Sequence, residues 1–257
     1  MLEPTIIYED KNFLAIMKPA GLQVHAAKKS GASEPTLVDW LTAHYPEVRT
    51  VGDDPALRPG IVHRLDRETS GIMLVARNQK YFEYLKSLFQ KHEVLKTYLA
   101  VVAGVPPKKH GTIDAPIGIR NGTIKRSVRS AKMAKPAVTE YRIIKTFTKT
   151  SAAPRKELGR GKNEKGGAEA KYSLLSVNPK TGRTHQIRVH LASVGLPVVG
   201  DRLYGPKAQP PWAKRLMLHA LSVEFTSASG ERMKFEAEPP GDLWNNLPTK
   251  ESSGACE

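Results

Sequence analysis

Apolar and polar positions alternate in several short runs along the chain, and separate stretches carry helical spacing. Near the start, Ile6-Ile7-Tyr8 and Phe13-Leu14-Ala15-Ile16-Met17 flank the polar Glu9-Asp10-Lys11-Asn12. This predicts strand, turn and strand, closed by Pro19 and Gly21. Over 36–45, Leu37, Val38 and Leu41 share one helical face, and Pro46 ends the helix. Residues 48–59 are polar and turn-rich. The unbroken apolar run Ile72-Met73-Leu74-Val75-Ala76 has strand length and reads as a strand buried on both faces. Residues 79–92 lack Gly and Pro, and Phe82, Leu85, Leu88 and Phe89 recur at helical spacing behind Asn78, a suitable N-cap.

In the second half, strands are predicted over 98–104, 139–144, 172–177, 216–225 and 231–235, the last two joined by a turn around Ser229-Gly230. A helix is predicted over 184–194, with Thr184 as N-cap, Ile187, Leu191 and Val194 facing inward, and Gly195 just past its end. The polar, Gly/Lys-rich stretch from about 148 to 170 reads as a flexible basic loop, and the tail over 249–257 as disordered. No internal repeat of fixed period is present. Hairpin-like connections and interspersed helices predict an α+β fold with a mixed, mostly antiparallel sheet and not a doubly wound one.

Charge narrows the partner. Lys and Arg number 40 against 25 Asp and Glu, a formal net charge of +15 over 257 residues. Such a surface favours a polyanion, nucleic acid first, through phosphate neutralisation and counterion release. Residues 118–136 carry Arg120, Lys125, Arg126, Arg129, Lys132 and Lys135 with no acid. Cys256 is the only cysteine, so the chain forms no internal disulfide, which fits a reducing compartment. The N-terminus lacks the pattern of a secretory signal, and no apolar run approaches the ~18 residues of a membrane span. A soluble, cytoplasmic protein is expected.

Three constellations could carry chemistry. Asp66 lies between a short apolar segment and the buried strand, flanked by Arg64 and Arg67. A nearby guanidinium favours the ionised form of a carboxylate, and a positioned carboxylate can serve as a nucleophile. Spacing alone favours a turn carboxylate that caps Thr69 or Ser70 or pairs with an arginine. Tyr98, in Lys96-Thr97-Tyr98-Leu99-Ala100, stands near the start of a strand, where it presents its ring to a cleft or simply packs half-buried. Arg183 and Arg188 fall at or near a helix N-terminus, where positive charge is unfavourable unless it meets an anion, a phosphate or an active-site carboxylate; the same spacing also allows a pair of solvated surface arginines. His185 and His190 do not have the i,i+4 spacing of a helical zinc site, and no acidic partner is suitably placed, so both read as structural or RNA-contacting. Gly159-Arg160-Gly161-Lys162 does not match a phosphate-binding loop, and no dinucleotide fingerprint occurs. No metal, nucleotide or flavin site is expected.

Taken together and in order, these segments resemble the RluA-type family of RNA pseudouridine synthases. The resemblance rests on Pro59-Gly60-Ile61-Val62-His63-Arg64-Leu65-Asp66 with Thr69-Ser70-Gly71, on Lys96-Thr97-Tyr98-Leu99-Ala100, and on Gly182-Arg183-Thr184-His185-Gln186-Ile187-Arg188-Val189-His190. Lys18-Pro19-Ala20-Gly21, Pro197-Val198-Val199-Gly200-Asp201 and Leu216-Met217-Leu218-His219-Ala220 agree as well. It implies the pseudouridine synthase fold: a bent mixed sheet, flanking helices and a central basic cleft, forming one catalytic domain over 1–248. Many relatives carry an N-terminal S4 domain. Here the core begins within the first ten residues, so a stand-alone catalytic domain is expected.

By the same resemblance Asp66 matches the catalytic aspartate, Tyr98 the active-site tyrosine, and Arg188 the arginine that pairs with the aspartate. Leu218 matches an apolar position near the target base, and Arg64 the residue that contacts RNA where the base is extruded. Arg67, Arg126, Arg129, Arg183 and His185 are expected to bind RNA. The implied reaction isomerises uridine in ribosomal or transfer RNA without cofactor or metal, by a monomer. The alternative is a non-catalytic RNA-binding or ribosome-assembly protein of the same fold.

Overall fold

The computed structural model describes residues 2–26, 34–120, 125–130, 132–150, 169–206 and 208–241. Cys256, the Gly159–Lys162 run and the tail over 249–257 lie outside them.

The N-terminal alternation makes β1 (Thr5–Glu9) and β2 (Phe13–Lys18) an antiparallel pair. Asp10 closes their turn by accepting from the Asn12 and Phe13 amides at 2.7 and 2.8 Å. Helix α1 (Leu37–His44) starts from a capping box between Thr36 and Asp39 and runs into a 3-10 turn at Pro46–Thr50. Every residue of β3 (Ser70–Ala76) is buried, as its unbroken apolar run predicts. In α2 (Gln79–Gln90), Asn78 caps the Tyr81 amide, and Tyr81, Phe82, Leu85 and Leu88 form the buried face.

The rest comprises β4 (Leu95–Ala103), β5 (His110–Asp114), the short pair β6 (Gly118–Ile119) and β7 (Arg126–Ser127), β8 (Val138–Thr150), β9 (Glu169–Pro179), α3 (Gln186–Ser193), β10 (Leu218–Thr226) and β11 (Arg232–Glu236). One sheet runs β1-β2-β3-β10-β4-β9-β8-β5, with β11 also on β10. Only the β3–β10 contact is parallel among the described strand pairs. The architecture is therefore the expected α+β with a mixed, mostly antiparallel sheet.

Three local expectations change. Of the loop expected from 148 to 170, both ends are strand, because β8 continues to Thr150 and β9 begins at Glu169, pairing Thr148 with Lys171; residues 151–168 lie outside the described residues. Ladder hydrogen bonds hold such polar ends without apolar side chains, so no hydrophobic pattern marks them. The second correction concerns α3, which starts at Gln186 behind His185, a left-handed residue with φ +57°, and not behind Thr184. Gln186 organises this turn from its side chain: Oε1 accepts from Thr181 Oγ1 at 2.7 Å and from the Arg183 amide at 2.9 Å. Third, Val194, expected to face inward, is 48% exposed at the helix end.

Two apolar cores flank the middle of the sheet. One joins α1 and α2 to β2 and β3, and the other joins Ile187 and Leu191 of α3 to Ala100, Leu175 and Leu216. Tyr98 packs against both. At this seam Ala220 of β10 is paired with Gly71 on one side and Tyr98 on the other. Gly71 has φ +123°, and a Cβ there would overlap the Ala220 backbone, which is the physical reason for glycine at that position.

Candidate active site

The loop that feeds β3 presents Asp66 at the seam between the two cores. Its conformation is fixed from both ends. Lys18, fully buried at the end of β2, donates from Nζ to the carbonyls of Pro19, Leu22 and Arg67 at 2.8, 2.8 and 3.1 Å. Burial pulls its pKa down to about 7, against the opposing charges of Glu68 and Asp66. On the other side, His63 Nε2 accepts from the Leu74 amide at 2.9 Å, and its ring stacks on Phe89 at 4.4 Å. Burial, aided by the charge of Lys96, lowers the His63 pKa to about 3, so the ring is neutral at pH 7. A neutral imidazole is what an acceptor role at Nε2 requires.

The Asp66 carboxylate, 19% exposed, accepts from Arg188 Nη1 at 2.9 Å. Arg188 reaches it from α3 across 122 positions of sequence. The same guanidinium gives its Nε and Nη2 to Asp201 at 2.7 and 2.9 Å, a bidentate pair. Asp201 is buried and also accepts from the amides of Leu203 and Tyr204. Burial works against both charges. The Asp201 and Asp66 carboxylates outweigh it to raise the Arg188 pKa, and the Arg188 hydrogen bonds outweigh it to lower that of Asp201. The Tyr204 ring lies under the guanidinium at 5.2 Å.

Tyr98 rises from β4 into the same space. Burial first, then the Asp66 charge, push its phenol above the ordinary tyrosine range. Leu218, at the start of β10, and Tyr98 share a cleft of about 740 Å³ with Asp66, Arg188, Arg64, Arg183 and His185. Arg64 is exposed on the rim, with Nη1 3.2 Å from His25 Nε2. Arg183 donates from Nε to the Pro136 carbonyl at 3.0 Å.

The other expected residues sit elsewhere. Arg67 is turned from the cleft, bonding to the Gly21 carbonyl and pairing with Glu34 and Glu68. Neither arginine beside Asp66 in sequence contacts its carboxylate; backbone direction in the loop separates them, and Arg188 takes that place. Arg126, in β7, and Arg129, in the turn just after it, lie outside the cleft lining, although the Arg126 amide donates to Tyr204 Oη at 2.9 Å. His190 is buried and bonded to Thr139 and the Ala115 carbonyl, a structural role. His185, in contrast, does have an acidic neighbour: Nε2 stands 3.8 Å from Asp66 Oδ1. The fold brought that acid from another strand loop, which local spacing does not reveal.

Sequence reasoning assigned no role to Asp201, Tyr204, Gln186 or Lys96. Asp201 was part of a recognised segment, but its bond to Arg188 is a tertiary fact. Lys96 lines the cleft, makes no ion pair among the described residues, and has its pKa lowered by burial. Among the described residues, no group of three or more His, Cys, Asp or Glu is arranged to hold a metal ion, and no helix is long and apolar enough to cross a membrane.

Asp66 is thus held by a buried arginine beside a tyrosine in a cleft lined by further basic side chains. Residues 12–193 match the family model described as RNA pseudouridylate synthase, and this chain belongs to that family. It is 40% identical over 227 residues to an uncharacterized RNA pseudouridine synthase of Chloroflexus aurantiacus, covering 88% of this chain and 63% of that protein. It is 37% identical to ribosomal large subunit pseudouridine synthase D of Pseudomonas aeruginosa, covering 95% of this chain and 71% of that protein. The chain thus spans about two thirds of the length of these relatives. The solved structure of human RNA pseudouridylate synthase domain containing 1 superposes with a TM-score of 0.69 at 25% identity, covering 94% of this chain and 86% of that one.

Proposed function

We propose that this chain isomerises uridines of structured RNA to pseudouridine, with Asp66 acting at the ribose. The observation that carries this reading is the Asp66–Arg188 contact of 2.9 Å inside the cleft that also holds Tyr98 and Leu218. The reaction detaches uracil from C1′, rotates it and rejoins it through C5. Atoms and electrons balance within the nucleotide, so the chemistry calls for no oxidant, ATP or metal.

The target base must first leave its stack, at a cost of a few kcal/mol. Arg64 on the cleft rim is suited to hold the strand there, and Leu218 to pack on the extruded base. Asp66 then either attacks C1′ or removes the C2′ proton. Arg188 holds the carboxylate in place and steadies charge as uracilate departs. Tyr98 packs on the base and assists loss of the C5 proton after rejoining. The names of the relatives favour large-subunit ribosomal RNA as the substrate class. On this reading one catalytic domain works as a monomer in the cytoplasm, and Arg67, Arg126, Arg129 and Arg183 serve the RNA backbone around the cleft.

Asp66→Ala is expected to release no tritium from RNA labelled at C5 of uridine while binding that RNA as the native protein does. Release at the native rate would overturn the assignment. Mapping pseudouridines in ribosomal and transfer RNA from cells with and without the gene identifies the substrate.

A further inference from the structure

His185 is the cleft imidazole beside Asp66, and its hydrogen bonding favours one of its two tautomers. Its Nδ1 lies 2.8 Å from Tyr204 Oη. That hydroxyl already accepts from the Arg126 amide at 2.9 Å, and an amide can only donate. With a donor already on one side of the oxygen, the hydroxyl proton is free to point at His185 Nδ1, the arrangement in which amide, hydroxyl and imidazole are all satisfied and Nδ1 accepts. The ring proton then resides on Nε2. Burial, reinforced by the charge of Arg188 and opposed by Asp66, lowers the His185 pKa and favours this neutral form.

The Nε2–H faces Asp66 Oδ1 at 3.8 Å, too far for a hydrogen bond. No described residue accepts from it within bonding distance, and it lines the cleft. It is a donor waiting for an acceptor that the protein does not supply. If Asp66 acts at C1′ or C2′, as proposed above, the reacting carbon lies about 3–3.5 Å from its carboxylate. The ribose 2′-oxygen is bonded to C2′ and is one further bond from C1′. A donor 3.8 Å from the same carboxylate is within reach of that oxygen.

We propose that Tyr204 holds His185 as the Nε2–H tautomer and that this N–H donates to the 2′-hydroxyl oxygen of the target nucleotide, so that the pair selects ribose over deoxyribose. The 2′-hydroxyl is the group that separates RNA from DNA at a site. Tyr204 is a positioning residue: its backbone amide bonds to Asp201 at 3.0 Å, its ring supports Arg188, and its hydroxyl sets His185. Removing that hydroxyl leaves the ring over Arg188 and the Tyr204 amide on Asp201 in place, and releases only His185 and the Arg126 amide.

The inference rests on the Asp66 reading, and the test separates the two. RNA oligonucleotides spanning a mapped target uridine are compared with the same oligonucleotides carrying 2′-deoxyuridine at that position alone. Single-turnover rate and Kd by competition are measured for the native protein and for Tyr204→Phe, His185→Ala and His185→Gln. The native protein should disfavour the deoxy substrate. In Tyr204→Phe and His185→Ala that penalty should shrink about tenfold, the worth of one lost hydrogen bond. Gln, whose amide N–H stands near the Nε2 position, should restore part of it. In ¹⁵N-histidine spectra the native His185 should show a protonated Nε2 and a bare Nδ1. An unchanged deoxy penalty in both loss variants, or a protonated Nδ1, overturns the inference. Absence of pseudouridine from the native protein on the ribose substrate would instead sink the functional reading.

Discussion

Arg188 is shared between two carboxylates, and the sharing is unequal. Asp201 takes the two-pronged face of the guanidinium, and Asp66 takes the remaining Nη1. A lysine offers one ammonium and cannot reproduce both contacts. Arg188→Lys should therefore lower the rate of tritium release by more than about 100-fold. It should also destabilise the fold by about 3–5 kcal/mol, because Asp201 loses its bidentate partner while buried. Urea unfolding and the release assay check the two effects separately.

His63 gives a pH dependence whose sign follows from its shift. Its pKa is about 3 when folded and 6.5 in the unfolded reference. Between those values the unfolded chain binds the proton more readily, so stability falls as pH drops from about 6.5 toward 3. His63→Gln removes this titration, and the fall in its urea midpoint between pH 6.5 and 4 should be smaller than in the native protein. At this scale Asp66, Tyr98 and Arg188 were legible from ordered motifs. Asp201 and Tyr204 were not, since their part in the site is a contact with a residue on another element.

The elements differ in how plainly they were written. β3 and α2 announce themselves, one by five consecutive apolar residues and the other by Phe82, Leu85 and Leu88 on one face. β5 holds a single buried apolar side chain, Ile113, and exists through its ladder with β8. The β6–β7 hairpin has two residues per strand and offers no period to read. Gly71 shows what the close approach of β3 to β10 demands. Gly71→Ala meets the Ala220 backbone with φ at +123°, a conformation costly for any Cβ. Its melting temperature should drop by about 4–12 °C, as expected for a loss of about 2–3 kcal/mol in a domain of this size. A Gly230→Ala control has open space around its Cβ, although it too sits at positive φ, so it should fall less.

For the whole molecule, the excess of 40 basic over 25 acidic residues sets how it meets RNA. The logarithm of its RNA dissociation constant should rise linearly with the logarithm of salt concentration, as counterions are released on binding. Arg64→Gln and Arg183→Gln should each flatten that slope by about one phosphate equivalent or less. A salt-independent affinity would contradict the electrostatic basis of binding.

What the chain determines alone is the set of strands and helices that hydrophobic periodicity can encode, the basic surface, and the ordered motifs that carry Asp66, Tyr98 and Arg188. Periodicity and charge are local or additive, so they survive in one dimension. Local spacing left open which guanidinium meets Asp66; the resemblance named Arg188, and tertiary packing is what brings it there. The adjacent Arg64 and Arg67 diverge with the loop backbone, while Arg188 arrives from a helix 122 positions away. Sheet order, the Asp201 brace and the bare donor on His185 are of the same kind, because each depends on distances that only the folded chain defines.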